Sequence, residues 1–146
     1  MSEFTSQFLS PQDLKKITDD AEVEDLKAEA AKRLQADRSA AEMKRTFESR
    51  ELDPKAPERI NQAVRAAALR GAREVLVLRF PATFCKDGGR RINNFEADWP
   101  DSLTGFGRTA FEFYENELRA LGFTMRAEIM SFPEGNLGDV GLYLRW

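Results

Sequence analysis

The chain has 146 residues, 32% of them charged and 42% hydrophobic, enough for one packed domain or for a domain of roughly 90 residues with an appendage. It contains no histidine and one cysteine, which excludes an internal disulfide, a His-based triad and zinc held by ordinary ligands, and no cofactor or metal is expected. No apolar run approaches the ~18 residues of a membrane span, and Met-Ser-Glu-Phe-Thr-Ser-Gln-Phe is not a secretory signal, so a cytoplasmic protein is expected.

The net charge of −3 conceals a partition: nine Lys/Arg against thirteen Asp/Glu over residues 1–54, nine against three over 55–91, and four against nine over 92–146. These segments are expected to satisfy one another within the chain or between subunits. A nucleic-acid-coating role needs a continuous cationic surface and is not expected. Such a surface would draw on Arg59, Arg65, Arg70, Arg73 and the cations near residue 90, with Phe84 or Phe95 stacking. However, the arginines of this segment do not share one helical face.

In chain order, Phe4, Phe8 and Leu9 precede Ser10-Pro11-Gln12-Asp13, a helix start with Ser10 as N-cap, Pro11 at the first helical position and Asp13 closing a capping box. From Leu14 to Leu52 there is neither Gly nor Pro, which predicts a long helix, with a break admissible at Asp19-Asp20. Leu14, Ile17 and Ala21, then Val23, Leu26, Ala30 and Leu34, and later Ala40, Met43 and Phe47 punctuate it at steps of three and four, a narrow stripe thinned by alanines. Such a stripe needs cover from the rest of the chain, a second subunit or another protein. Asp53-Pro54-Lys55-Ala56-Pro57 marks the expected boundary between a helical extension, 1–53, and a small domain, 54–146.

The second helix begins near Pro57, with Ile60, Val64, Ala67 and Ala68 on one face and Gly71 capping its end. Val75 to Leu78 is an unbroken apolar run that predicts a strand covered on both faces. A polar, glycine-bearing loop of about twenty residues follows from Pro81, longer than structureless connections usually are. The third helix runs from Ser102 or Thr104 to Leu121, with Gly107, Phe111, Tyr114, Leu118 and Leu121 toward the core and Gly122 as cap. Strand two, Phe123 to Phe132, alternates Met125, Ala127 and Ile129 against Arg126 and Glu128. Strand three, from Val140, places Leu142, Leu144 and a buried Trp146 opposite Tyr143 and Arg145. The expected class is α/β (α+β): a long helical extension, then an α-β-α-β-β domain with a three-stranded mixed sheet. In it strands one and two pair in parallel through a crossover, and strands two and three form a hairpin. Two local helices leave one face short of cover, so a homo-oligomer is expected.

Two stretches could carry chemistry. Lys86, Gly88, Gly89, Arg90 and Arg91 after strand one, with Thr104, Gly105, Gly107 and Arg108 at the start of helix three, combine glycines, free helix-start amides and cations, as an anion cradle would. In addition, Cys85 and Arg91 stand as Cys-x5-Arg, a spacing that resembles the phosphate-binding loop of cysteine-dependent protein tyrosine phosphatases. Trp99-Pro100-Asp101 is similar to the tripeptide bearing their general acid. The resemblance implies an Arg-lowered thiolate attacking phosphorus, with Asp101 protonating the leaving group. The chain departs from the pattern: the tripeptide follows the arginine instead of preceding the cysteine, Ile92 stands where Ser or Thr is usual, and no His precedes Cys85. Cys85 therefore reads as a small, partly buried hydrophobe.

The functional expectation is a non-enzymatic protein–protein interaction component, assembling with itself or with another protein through the N-terminal helix. A sensor of a small anionic ligand at the Gly88-Gly89 loop is the alternative, and a phosphatase-like enzyme is a minor one.

Overall fold

A computed structural model describes residues 7–146, so Phe4 lies outside the described residues. The chain divides into two compact units, Met1–Met43 and Lys44–Trp146.

Helix α1 runs without a break from Pro11 to Ser49. Its start is the capping box expected from Ser10-x-x-Asp13: the Asp13 N–H donates to Ser10 Oγ at 3.1 Å and the Ser10 N–H to Asp13 Oδ2 at 2.9 Å. Asp19 and Asp20 do not interrupt it, because a helix already propagating adds residues at little cost where no proline intervenes. In the first unit the stripe residues Leu14, Ile17, Val23, Leu26, Leu34 and Met43 are all exposed, as are Phe8 and Leu9 ahead of the helix.

The second unit opens with the last turn of α1, whose Phe47 is buried. Helix α2, Ala56–Leu69, follows the Pro54 turn and ends at Gly71 in the left-handed conformation, where the Gly71 and Ala72 amides return to the carbonyls of Ala68 and Ala67. Strands β1 (Glu74–Pro81), β2 (Thr124–Ile129) and β3 (Asp139–Arg145) form one sheet in the order β1-β3-β2.

Every pairing in this sheet is antiparallel, which corrects the mixed sheet and the parallel neighbours expected from the sequence. β1 and β2 do run in the same direction, as their crossover requires, but β3 inserts between them and pairs with both. The inserted strand is the most buried of the three, with Val140, Leu142 and Leu144 all at 1% exposure or less, as a strand paired on both sides is.

β1 is consequently an edge strand covered on one face, and not the doubly covered strand its apolar run suggested. A bulge between Leu76 and Leu78 turns Leu76 outward to 40% exposure. The outer face of the sheet carries its own polar dressing. Arg126 binds Glu74 through two hydrogen bonds of 2.7 and 2.8 Å, reaches Glu128 at 2.9 Å and lies 4.1 Å over the Tyr143 ring; Arg79 pairs with Asp139 at 2.7 Å. A face paired this way is satisfied in water. The geometric need for a covering subunit, which motivated the oligomer expectation, does not arise from the sheet.

The inner face holds the core. Phe47, Phe80, Phe84 and Phe106 cluster there, with ring centroids from Phe47 at 5.1, 4.9 and 6.5 Å, together with Ile92, Leu103, Val140 and Leu142. The long connection after β1 is not structureless. Ala82–Phe84 and Trp99–Ser102 are 3-10 turns and Arg90–Asn93 is a short helix, α3, because Phe84, Cys85, Ile92 and Leu103 are apolar enough to plug the core. Helix α4, Gly105–Phe113, continues through a π turn, Tyr114–Leu118, and a 3-10 turn to Gly122. Leu121, expected inward, is 73% exposed because these wider and tighter turns shift the helical phase. Trp146, expected buried, is 39% exposed beside Phe123.

Candidate functional site

The three arginines that the sequence assigns to an anion cradle are each already engaged. Arg90 pairs with Glu96 at 3.1 Å, Arg91 with Asp98 at 3.6 Å and Asp87 at 3.9 Å, and Arg108 with Glu112 at 3.2 Å and the Pro100 carbonyl at 3.1 Å. Lys86 extends into solvent. The Asp87 carboxylate, although partial burial would raise its pKa, is held below the ordinary range by the N–H groups of Arg91 and Gly89. The loop thus closes on its own carboxylate.

The glycines serve the interior. A β-carbon on Gly89 would lie 3.0 Å from that of Ala82 and 3.4 Å from Ile129. One on Gly105, at φ 54°, would lie 2.9 Å from the Glu48 Cα. One on Gly107 would rest 3.4 Å from the rings of Phe47 and Phe80. Gly88 has open space around it, and its φ of 69° belongs to the turn. Thr104 donates its hydroxyl proton to the Phe84 carbonyl, tying the helix start to the loop. These spacings permit close packing.

Cys85 is 6% exposed, and burial pushes its thiol up to about 11, with the Asp87 charge adding to the effect and a hydrogen bond to Ser102 opposing it. A phosphoryl-transfer cysteine needs the reverse, a thiolate drawn out by an adjacent cation, but Arg91 is spent on Asp87 and Asp98. Among the aromatics considered for base stacking, Phe84 is buried and Phe95 is 83% exposed. Among the described residues, no three His, Cys, Asp or Glu side chains gather as metal ligands would, and no helix is long and apolar enough to cross a membrane.

A concavity of the second unit lies elsewhere, on the inner face between α2, α4 and the sheet. It is a cavity of 230 Å³, lined by Leu52, Ile60, Leu78, Phe113, Leu118 and Met125 among others, with Arg50, Asp53 and Arg59 as its polar residues. Sequence reasoning missed it, because its lining comes from five separate segments. The available signal was the pair of small residues, Ala56 on α2 and Ala110 on α4, which both line the space without filling it.

No protein-family model, curated protein or solved structure matches this chain. Function must therefore be argued from the residues.

Proposed function

We propose that the chain is a non-enzymatic protein–protein interaction component that assembles with a second copy of itself through α1. The observation that carries this reading is the set of exposed apolar side chains on the helix, Leu14, Ile17, Val23, Leu26, Leu34 and Met43, of which Val23, Leu26 and Leu34 lie on one face with Ala30 between them. Isolated exposed hydrophobes are commonplace, but an apolar face over the middle turns of a long helix is what helix pairing buries.

The charge order favours an antiparallel copy. Residues 11–30 carry seven Asp/Glu against three Lys/Arg, and residues 31–49 carry five Lys/Arg against three Asp/Glu. Antiparallel pairing lays the acidic half of each helix on the basic half of its partner and opposes the two macrodipoles favourably. It also brings Leu26 of one helix opposite Leu34 of the other when the pair is centred on Ala30. Parallel pairing would superimpose like charges.

Light scattering of the full chain at low salt tests the reading, with a dimer mass expected. Leu26→Glu with Leu34→Glu should give a monomer whose near-ultraviolet aromatic spectrum is unchanged. A wild-type monomer at every accessible concentration would remove the self-assembly reading and assign the helix to a different protein.

A further inference from the structure

We propose that the second unit binds a small amphiphilic monocarboxylate, with its apolar body in the cavity between α2, α4 and the sheet and its carboxylate on Arg50. Size sets the body. An apolar cavity of ~150 Å³ accepts benzene, so 230 Å³ has room for a molecule of about ten non-hydrogen atoms. Chemistry sets its character. Twelve of the fifteen lining residues are apolar, and the one hydroxyl among them, on Tyr114, already donates to the Phe123 carbonyl at 2.9 Å. A polar body would find no partner inside.

The polar rim sets the head group. Arg59 is paired with Asp53 at 3.1 Å, whereas Arg50 makes no ion pair among the described residues. The Arg50 guanidinium instead stacks 3.9 Å over the ring of Phe106, itself a lining residue. Stacking occupies the face of a guanidinium and leaves its in-plane N–H edge for bidentate pairing with a carboxylate. Two arginines and one aspartate leave a single positive charge at the rim, which matches a monoanion and disfavours a dianion. The π turn Tyr114–Leu118 contributes Tyr114 and Leu118 to the wall, and such turns recur where helices shape binding sites.

Octanoate, titrated into the full-length protein below its micelle concentration, is the probe, read by calorimetry and by methyl NMR. Expected are saturable one-to-one binding, shifts centred on the methyls of Ile60, Leu118 and Met125, and at least tenfold weaker binding of 1-octanol and of octyl phosphate. Arg50→Gln should weaken octanoate at least tenfold and Arg50→Lys less, while Ala110→Leu should abolish binding by filling the cavity. Absence of saturable binding, equal affinity for octanoate and octanol, or shifts confined to surface residues would each overturn the proposal. The ligand comparison on the unaltered protein keeps it testable should a variant fail to fold.

Discussion

Phe47 and Gly105 meet so closely that a β-carbon on the glycine would lie 3.0 Å from the Phe47 ring and equally near the Phe47 carbonyl oxygen. The last turn of α1 and the first of α4 share one contact surface there, and glycine is what lets the two backbones approach. Gly105→Ala should cost about 2–3 kcal/mol, from the strained φ of 54° and the displaced backbone together. Gly107→Ala, at ordinary contact distance and in helical conformation, should change stability by less than about 1 kcal/mol, since helix propensity offsets any crowding. Thermal unfolding of both variants checks the contrast. Equal effects would mean that helix geometry, and not the approach to Phe47, selects glycine at residue 105.

Cys85 should be inert in the folded protein. With its thiol pushed from the usual 9.0 to about 11 by burial, the thiolate fraction at pH 8 falls by about a hundredfold, and the 6% exposure restricts access further. Reaction with a chromogenic disulfide should be at least a hundredfold slower than with the same protein in denaturant. Cys85→Ser should be destabilising, because a hydroxyl in this apolar site must find a stronger partner than the thiol needs. Rapid native labelling would return Cys85 to consideration as a nucleophile.

The outer face of the sheet should make stability pH-dependent on the acid side. Hydrogen bonds from Arg126 hold Glu74 and Glu128 below the usual carboxylate range. Because their folded values are depressed, the unfolded chain binds protons first as pH falls, so the contribution is present above the unfolded value near ~4.3 and is lost below it. All three side chains are about one-third exposed, so solvent screening limits the effect. Arg126→Met should cost about 1 kcal/mol at pH 7 and flatten the stability profile between pH 6 and 3. Chemical denaturation at intervals across that range checks it, and an unflattened profile would place the acid-labile carboxylates elsewhere.

What the sequence determined by itself is what depends on near neighbours. Ser10 and Asp13 started α1, Gly71 and Gly122 ended α2 and the turn after α4, and the two-residue alternation placed Leu142 and Leu144 opposite Tyr143, because capping, left-handed glycines and strand pleating act within a few residues. The polar partners on the outer face were legible as alternating Arg126 and Glu128.

Tertiary structure alone decided which strand took the centre. Once β3 lay between β1 and β2, the parallel pair became two edges, and the apolar run of β1 needed cover on one side only. It also decided the fate of the glycine-rich loop. Seen along the chain, Arg90, Arg91 and Arg108 are cations near flexible backbone; in space they meet Glu96, Asp98, Asp87 and Glu112, while Gly89, Gly105 and Gly107 face other side chains and backbone. Ion pairing and close packing are properties of distance, and residues 58 apart, such as Phe47 and Gly105, carry no local signal of it. The cavity beside Arg50 is unread for the same reason, since a void belongs to the arrangement of five segments and to no residue in particular.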